Sequence, residues 1–190
     1  RTSAAARTVP WAVGTLVLLV SAAALYFFTG AAASEPSRAQ QPGTGDITYG
    51  PAGAQTVVME YSDFQCPFCA EFGPILATLR EEYGDRVQFV FRFFPLDNHE
   101  FAMISAQAAY AAHLQGRFWE MHDLLYEHQD EWAGSSDPRP LFDSYAQSLG
   151  LDMDRFHDDI DADSTIAFIE RQRAEGDSAG VSHTPWFVVD

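Results

Sequence analysis

The chain has 190 residues and an acidic composition, with 27 aspartate and glutamate side chains, 11 basic side chains and a formal net charge of −16. All 27 acids follow Ser34, and so do nine of the basic residues. The part of the chain after Ser34 therefore has a formal net charge of 9 − 27 = −18. Such a charge excludes a nucleic-acid partner and favours a soluble surface whose like charges repel one another. The roughly 150 residues after the leading segment suffice for one domain with a sizeable core.

Residues 9–30 predict a transmembrane helix or signal anchor. They contain an unbroken run of twenty apolar or small residues, and a helix of that length spans about 30 Å, the thickness of a bilayer core. Two arginines lie in residues 1–8 and acids dominate after the span. This asymmetry predicts a cytoplasmic N-terminus and a single-pass protein of the cell membrane, with its domain outside the cytoplasm. A cleaved signal peptide ending near residues 31–33 is the alternative, and it also exports the domain.

Residues 31–46, rich in Pro, Gly, Ser and Gln, predict a flexible linker. The folded domain is then predicted over residues 47–190. Its first strand is "QTVVMEY" at 55–61, and a second strand is "VQFVFRFF" at 87–94. Between them, apolar residues recur at helical spacing, with Pro74 inside the pattern as an expected kink.

Helical signals fill the stretch from about residue 98 to residue 179, in four segments. "TPWFVV", residues 184–189, then predicts a final strand. The order is therefore strand, helix, strand, helical block and strand, which indicates an α/β fold with an inserted all-helical block.

The two cysteines of the chain lie in the stretch "CPFC", at Cys66 and Cys69. A structural zinc site needs four ligands, and no histidine pair supplies the other two. A structural disulfide across so short a loop gains little chain entropy. In an exported domain, two cysteines this close indicate a redox pair.

The placement of this pair supplies a mechanism. Pro67 suits the first position of a helix, which puts Cys66 at the N-cap, facing the unpaired N–H groups and the positive end of the helix dipole. A thiolate is stabilised there, so the pKa of Cys66 is predicted to fall below the usual value of about 8.5. Cys69, one turn later, is predicted to be the more buried, resolving thiol.

The segment "VVMEYSDFQCPFC" resembles the active-site segment of DsbA-like thiol-disulfide oxidoreductases with a thioredoxin fold, in particular their membrane-anchored, BdbD-like branch. "FRFFPL", "AAYAAHLQGRFWEMHDLLY" and "GVSHTPWFVV" resemble the same branch, so the resemblance covers about residues 47–190. It implies a thioredoxin-like fold and an enzyme that needs no cofactor.

The resemblance also implies roles for individual residues. Cys66 would be the attacking and leaving sulfur and Cys69 its partner. Pro185 matches a cis-proline that lies beside the pair, and Thr184 precedes it where the backbone contacts a substrate peptide. Glu60 matches a buried acid that assists proton transfer; a surface acid at the end of a strand is the alternative.

The function implied is the formation of disulfides in reduced exported proteins, with reoxidation by a membrane protein of the DsbB or VKOR type. A disulfide reductase or isomerase on the same scaffold, and a redox-inactive membrane-tethered binding domain, remain alternatives. One departure bears on this choice, because Phe68 stands where the best-known oxidising member has histidine. The family also continues with another strand and a helix, which implies a C-terminus truncated at Asp190 and an open edge at residues 186–189.

Three further features have structural interpretations. His99 is predicted to be a structural hydrogen-bonding group. Phe64 is either a core residue or, with Phe68, part of an apolar rim for unfolded substrates. The acidic run at residues 152–163 lacks the Gly and terminal Glu of a calcium-binding loop, so it predicts a solvated helix-turn.

Overall fold

The computed structural model of the protein describes residues 42–43 and 45–190. The predicted cytoplasmic segment, the membrane anchor and most of the linker lie outside the described residues. Among the helices that are described, none is long and apolar enough to cross a membrane.

A four-stranded mixed sheet forms the centre of the domain. Its strands are β1 (Ile47–Tyr49), β2 (Thr56–Ser62), β3 (Val87–Phe93) and β4 (Trp186–Val189). They lie in the spatial order β1–β3–β2–β4, with β2 and β3 parallel and each outer strand antiparallel to its neighbour. The inner strands are rich in β-branched and aromatic residues, as strands covered on both faces require, and they lie where the sequence predicts them.

Seven helices surround this sheet in the described part of the chain. They are α1 (Pro67–Tyr83), α2 (Ala102–His113), α3 (Phe118–Glu127), α4 (Gln129–Ala133), α5 (Arg139–Ser148), α6 (Met153–Ile160) and α7 (Asp163–Ser178). Helix α1 joins the parallel strands β2 and β3, and α2–α7 form one insert between β3 and β4. The predicted α/β fold with an inserted helical block is therefore confirmed.

The insert holds two more helices than its four predicted segments. Helix α4 is a five-residue turn, too short for a periodic apolar signal. Helix α6 lies in the acidic run, for which the sequence predicts a helix-turn, and it begins where the Asp152 carboxylate accepts a hydrogen bond from the Arg155 N–H, at 3.2 Å. Strand β1 was missed, because its three residues directly follow the polar linker and carry no alternating pattern.

The two faces of the sheet are packed differently. Successive strand residues point to opposite faces, so Glu60 and Ser62 share one face of β2 with Phe91 and Phe93, their partners on β3. The insert and α1 cover this face with a large aromatic core. The other face holds a smaller cluster that includes Tyr61. Two polar side chains of β2 thus lie on the more apolar side of the sheet.

The pairing of β4 with β2 places the last strand of the chain beside the strand that leads to Cys66. Tyr61 lies opposite Trp186 in this antiparallel pair. The chain just before β4 therefore reaches the end of β2, where the loop leading to α1 begins.

Candidate active site

Cys66 occupies the N-cap of α1, with Pro67 at the first helical position, as the sequence predicts. Both thiols are free, and Cys66 is 4% exposed whereas Cys69 is fully buried. Both cysteines are therefore buried, and the strand-to-helix turn leaves only Cys66 with a small exposed area.

The surroundings of Cys66 stabilise its thiolate. Its pKa falls from 9.0 to about 5, chiefly because the Cys69 side chain hydrogen-bonds its sulfur. The backbone N–H groups of Cys69 and Phe68 and the nearby Thr184 side chain add to this lowering of the pKa, and burial opposes it. The Phe68 ring cannot donate a hydrogen bond, but its backbone N–H does so as part of the first helical turn. The ring itself is 63% exposed.

Cys69 has the opposite character. Burial raises its pKa far above the usual value, and the neighbouring Cys66 sulfur raises it further. Cys69 therefore keeps its proton while Cys66 loses its own. This asymmetry is what a dithiol needs when one sulfur acts as nucleophile and leaving group and the other acts as resolving thiol.

Thr184 and Pro185 lie beside this pair. The peptide bond between them is cis, as the resemblance to DsbA-like proteins implies. Cys66 Sγ lies 3.5 Å from the Thr184 carbonyl oxygen, to which it donates a hydrogen bond while it holds its proton. Residues separated by 118 positions thus meet, because the antiparallel pairing of β4 with β2 delivers Thr184 to the end of β2. The roles of Thr184 and Pro185 in exchange stay predictions.

Glu60 is buried beneath α1, with 5% of its surface exposed. Burial raises the pKa of its carboxyl to about 7, although the neighbouring Ser62 side chain and the charge of Arg80 act against this shift. The alternative interpretation of Glu60 as a surface acid is therefore wrong. A carboxyl with this pKa both gains and loses a proton near neutral pH.

Ser62 and Tyr126 belong to the same buried region and were not singled out from the sequence. The Ser62 and Tyr126 hydroxyls are 2.8 Å apart and buried, and burial raises the pKa of Tyr126 well above 10. Two-residue spacing from Glu60 places Ser62 on the same face of β2, which is a signal that the sequence contains. Tyr126 lies 64 positions further along the chain, and no local pattern links it to the site.

The loop before Cys66 is fixed by Asp63. Its carboxylate accepts hydrogen bonds from the backbone N–H of Gln65, at 2.7 Å, and from that of Leu96, at 2.9 Å. His99 Nδ1 lies 2.7 Å from the same carboxylate. His99 thus makes a structural hydrogen bond, as predicted.

The insert holds this loop from the other side. The buried Gln129 amide donates to the carbonyl of Phe64, at 2.6 Å, and to that of Cys66, at 2.9 Å. The Phe64 ring is 1% exposed and stacks on Phe91, with ring centroids 5.3 Å apart. Phe64 is therefore a core residue, and Phe68 is the apolar side chain exposed beside the sulfur.

Comparison with known proteins places the chain in a family. Residues 43–190 match a family model described as thioredoxin. The fold is similar to that of a cysteine variant of α-DsbA1 from Wolbachia pipientis, at 23% identity and a TM-score of 0.71, over 80% of this chain and 78% of that one. It is also similar to oxidised BdbD from Bacillus subtilis, at 22% identity and a TM-score of 0.67, over 78% of this chain and 84% of that one.

A curated relative shares more sequence but is much longer. The chain is 41% identical over 146 residues to a protein named Na⁺/H⁺ antiporter NhaA 3 from Salinispora tropica, a match that spans 76% of this chain and 22% of that protein. The likeness thus concerns about a fifth of the relative. Because the family match extends over more than half of the chain, the protein belongs to the thioredoxin family and has the DsbA-like form of its fold.

Proposed function

We propose that the protein is an extracytoplasmic thiol-disulfide oxidoreductase that forms disulfides in exported proteins through Cys66 and Cys69. The observation that carries this proposal is the stabilised Cys66 thiolate beside a protonated Cys69. Stabilising the thiolate favours the reduced form of the pair, and a pair that prefers to be reduced oxidises its substrates.

The first step breaks the Cys66–Cys69 disulfide. A substrate thiolate attacks the Cys66 sulfur and forms a mixed disulfide with it. Cys69 departs with the bonding electron pair and takes up a proton, as its raised pKa requires. The exposed Phe68 ring beside the sulfur offers an apolar contact to an unfolded substrate.

The second step releases the product. A second substrate thiol loses its proton and attacks the substrate sulfur of the mixed disulfide. Cys66 leaves as a thiolate, and its low pKa makes it a good leaving group. Two electrons have then passed from the substrate to the pair, and a membrane reoxidase of the DsbB or VKOR type would accept them through its own disulfide.

The reduction potential of the pair tests the direction of exchange. We expect equilibration with glutathione to give a reduction potential of about −120 mV, in the range of a strong oxidant. The fraction of reduced protein would be read by trapping free thiols and measuring mass. A reduction potential of about −270 mV would favour the reductase alternative. A Cys66–Cys69 pair that cannot be oxidised and reduced reversibly would favour a redox-inactive binding domain.

The cell membrane is the proposed location. The domain boundaries expected from the sequence, with residues 1–8 in the cytoplasm, an anchor at 9–30 and a linker at 31–46, would tether the thioredoxin domain outside the cytoplasm. The match to a stretch of proteins named as antiporters supports this proposal, since an antiporter works in a membrane.

A reporter fusion tests this topology. We expect a reporter that is active only outside the cytoplasm to be active when it is fused after Gly45, because the arginines before the apolar run favour the cytoplasmic side. The matched control is a fusion after residue 8. A soluble product that begins near Ser34 would show a cleaved signal peptide instead of an anchor.

A further inference from the structure

The Asp63 carboxylate connects the loop before Cys66 to the segment that joins β3 to α2. This carboxylate is fully buried. One of its oxygens accepts a hydrogen bond from the backbone N–H of Gln65, at 2.7 Å. The other oxygen accepts from the backbone N–H of Leu96, at 2.9 Å, and lies 2.7 Å from Nδ1 of His99. Donors from two separate segments therefore meet at one carboxylate.

The backbone of Asp63 is bonded directly to the nucleophilic cysteine. The Cys66 N–H donates to the Asp63 carbonyl, at 3.1 Å, which closes a four-residue turn. The Asp63 N–H acts on Cys69, where it opposes the rise in the pKa of that thiol. Inside the turn, the Gln65 side chain accepts a hydrogen bond from the Phe101 N–H, at 2.5 Å. A displacement of Asp63 is therefore passed on to the position where Cys66 caps α1.

His99 supplies the side-chain donor to this carboxylate. A buried carboxylate costs free energy unless hydrogen bonds satisfy its oxygens. Because a carboxylate only accepts, the proton on His99 Nδ1 points at Asp63. Arg173 of α7 adds a positive charge at longer range, while its guanidinium binds Asp97 at 2.6 and 2.8 Å. Loss of the imidazole would thus leave Asp63 with an unmet acceptor inside the protein.

We propose that His99, acting through Asp63, is a positioning residue for disulfide exchange, because it holds the turn that places Cys66 at the N-terminus of α1. This inference rests on the proposed function, since exchange passes through the Cys66 sulfur. The N–H groups of the first helical turn stabilise a thiolate only when the sulfur stands in front of them. When the turn shifts, the hydrogen bonds to the thiolate weaken while the thiol form is little affected.

Two measurements report on this positioning. The pH profile of Cys66 alkylation gives the midpoint at which the thiolate forms. Equilibration with glutathione at pH 7 gives the ratio of reduced to oxidised pair. Stabilising the thiolate stabilises the reduced pair alone, so one pH unit in the alkylation midpoint corresponds to about tenfold in the glutathione equilibrium. A change in the position of Cys66 therefore moves both values together.

Three variants test the role of His99. In His99→Ala we expect the alkylation midpoint to rise by about one pH unit and the glutathione equilibrium to move about tenfold toward the oxidised pair. His99→Asn keeps an N–H donor close to the place of Nδ1, so both values are expected to stay within about threefold of the wild type. His157→Ala is the matched control, because it removes an exposed histidine of α6 that lies 3.0 Å from Asp143 of α5. We expect it to change neither value.

Circular dichroism of each reduced variant shows whether it is folded. Should His99→Ala fail to fold, His99→Gln takes its place, since its amide donor is displaced by one bond and is expected to move both values in the same direction. Wild-type values in the folded His99→Ala or His99→Gln protein would overturn the role of His99. A His99→Asn protein as impaired as His99→Ala would overturn it as well. A wild-type pair that cannot be reduced and reoxidised would instead overturn the proposed function.

Discussion

Replacing Cys66 with serine is expected to lower disulfide exchange by on the order of a thousandfold or more, to the uncatalysed rate. The reason is that both steps pass through this sulfur. It receives the attack of the substrate, and it leaves again as a thiolate whose pKa is about 5. A serine hydroxyl can neither form the disulfide nor depart at neutral pH. Oxidation of a reduced, unfolded substrate, followed by its free thiol content, measures this loss.

Replacing Cys69 with alanine is the matched control, because it removes the resolving thiol but leaves the nucleophile. We expect this variant to accumulate mixed disulfides, which appear as adducts on non-reducing gels and disappear on reduction. Adducts on the Cys66→Ser protein, with none on the Cys69→Ala protein, would show that the two roles are reversed.

The contribution of Cys66 to the stability of the reduced protein is expected to rise with pH between about 5 and 9. In this window Cys66 is ionised in the folded protein but still protonated in the unfolded chain, because folding lowers its pKa from 9.0 to about 5. At this site the unfolded state then binds more protons, so the Cys66 contribution to the free energy of unfolding increases by at most about 1.4 kcal/mol per pH unit. As pH falls through about 5, this contribution is lost.

Urea unfolding of the reduced protein at pH 4, 6 and 8 measures this effect. The control is the reduced Cys66→Ser variant, which keeps Glu60 and the histidines but lacks the thiolate. The difference between the two proteins isolates Cys66, and it is expected to grow from pH 4 to pH 8. Parallel pH profiles for the two proteins would contradict a stabilised thiolate.

The sequence predicts the parts of this site that depend on local structure. Pro67 after Cys66 predicts the N-cap, and this inference needs two neighbouring residues and one rule of helix geometry. The position of Pro185 beside the dithiol was implied by the resemblance to DsbA-like proteins and not by local geometry. The two inner strands were predictable from local sequence, since their apolar runs are long and sharply bounded.

The rest depends on contacts between distant residues. Tyr126 reaches Ser62, and Gln129 reaches the Cys66 carbonyl, because the insert folds back across the sheet. The separations are 64 and 63 positions, and neither residue type is unusual in a helix. Strand β1 likewise exists through its pairing with β3, some forty positions later. Composition and periodicity carry no information on such pairings.

The two hydrogen bonds donated by Gln129 connect the insert to the backbone at the dithiol. One side-chain amide holds the carbonyls on both sides of Gln65, so a shift of α4 moves the N-terminus of α1 and the N–H groups that solvate the thiolate. We therefore expect the reduction potential to depend on the insert as well as on the two residues between the cysteines. Proteins that share the sequence CPFC but differ in the insert are then expected to differ in oxidising strength, although no inserted residue needs to contact a sulfur.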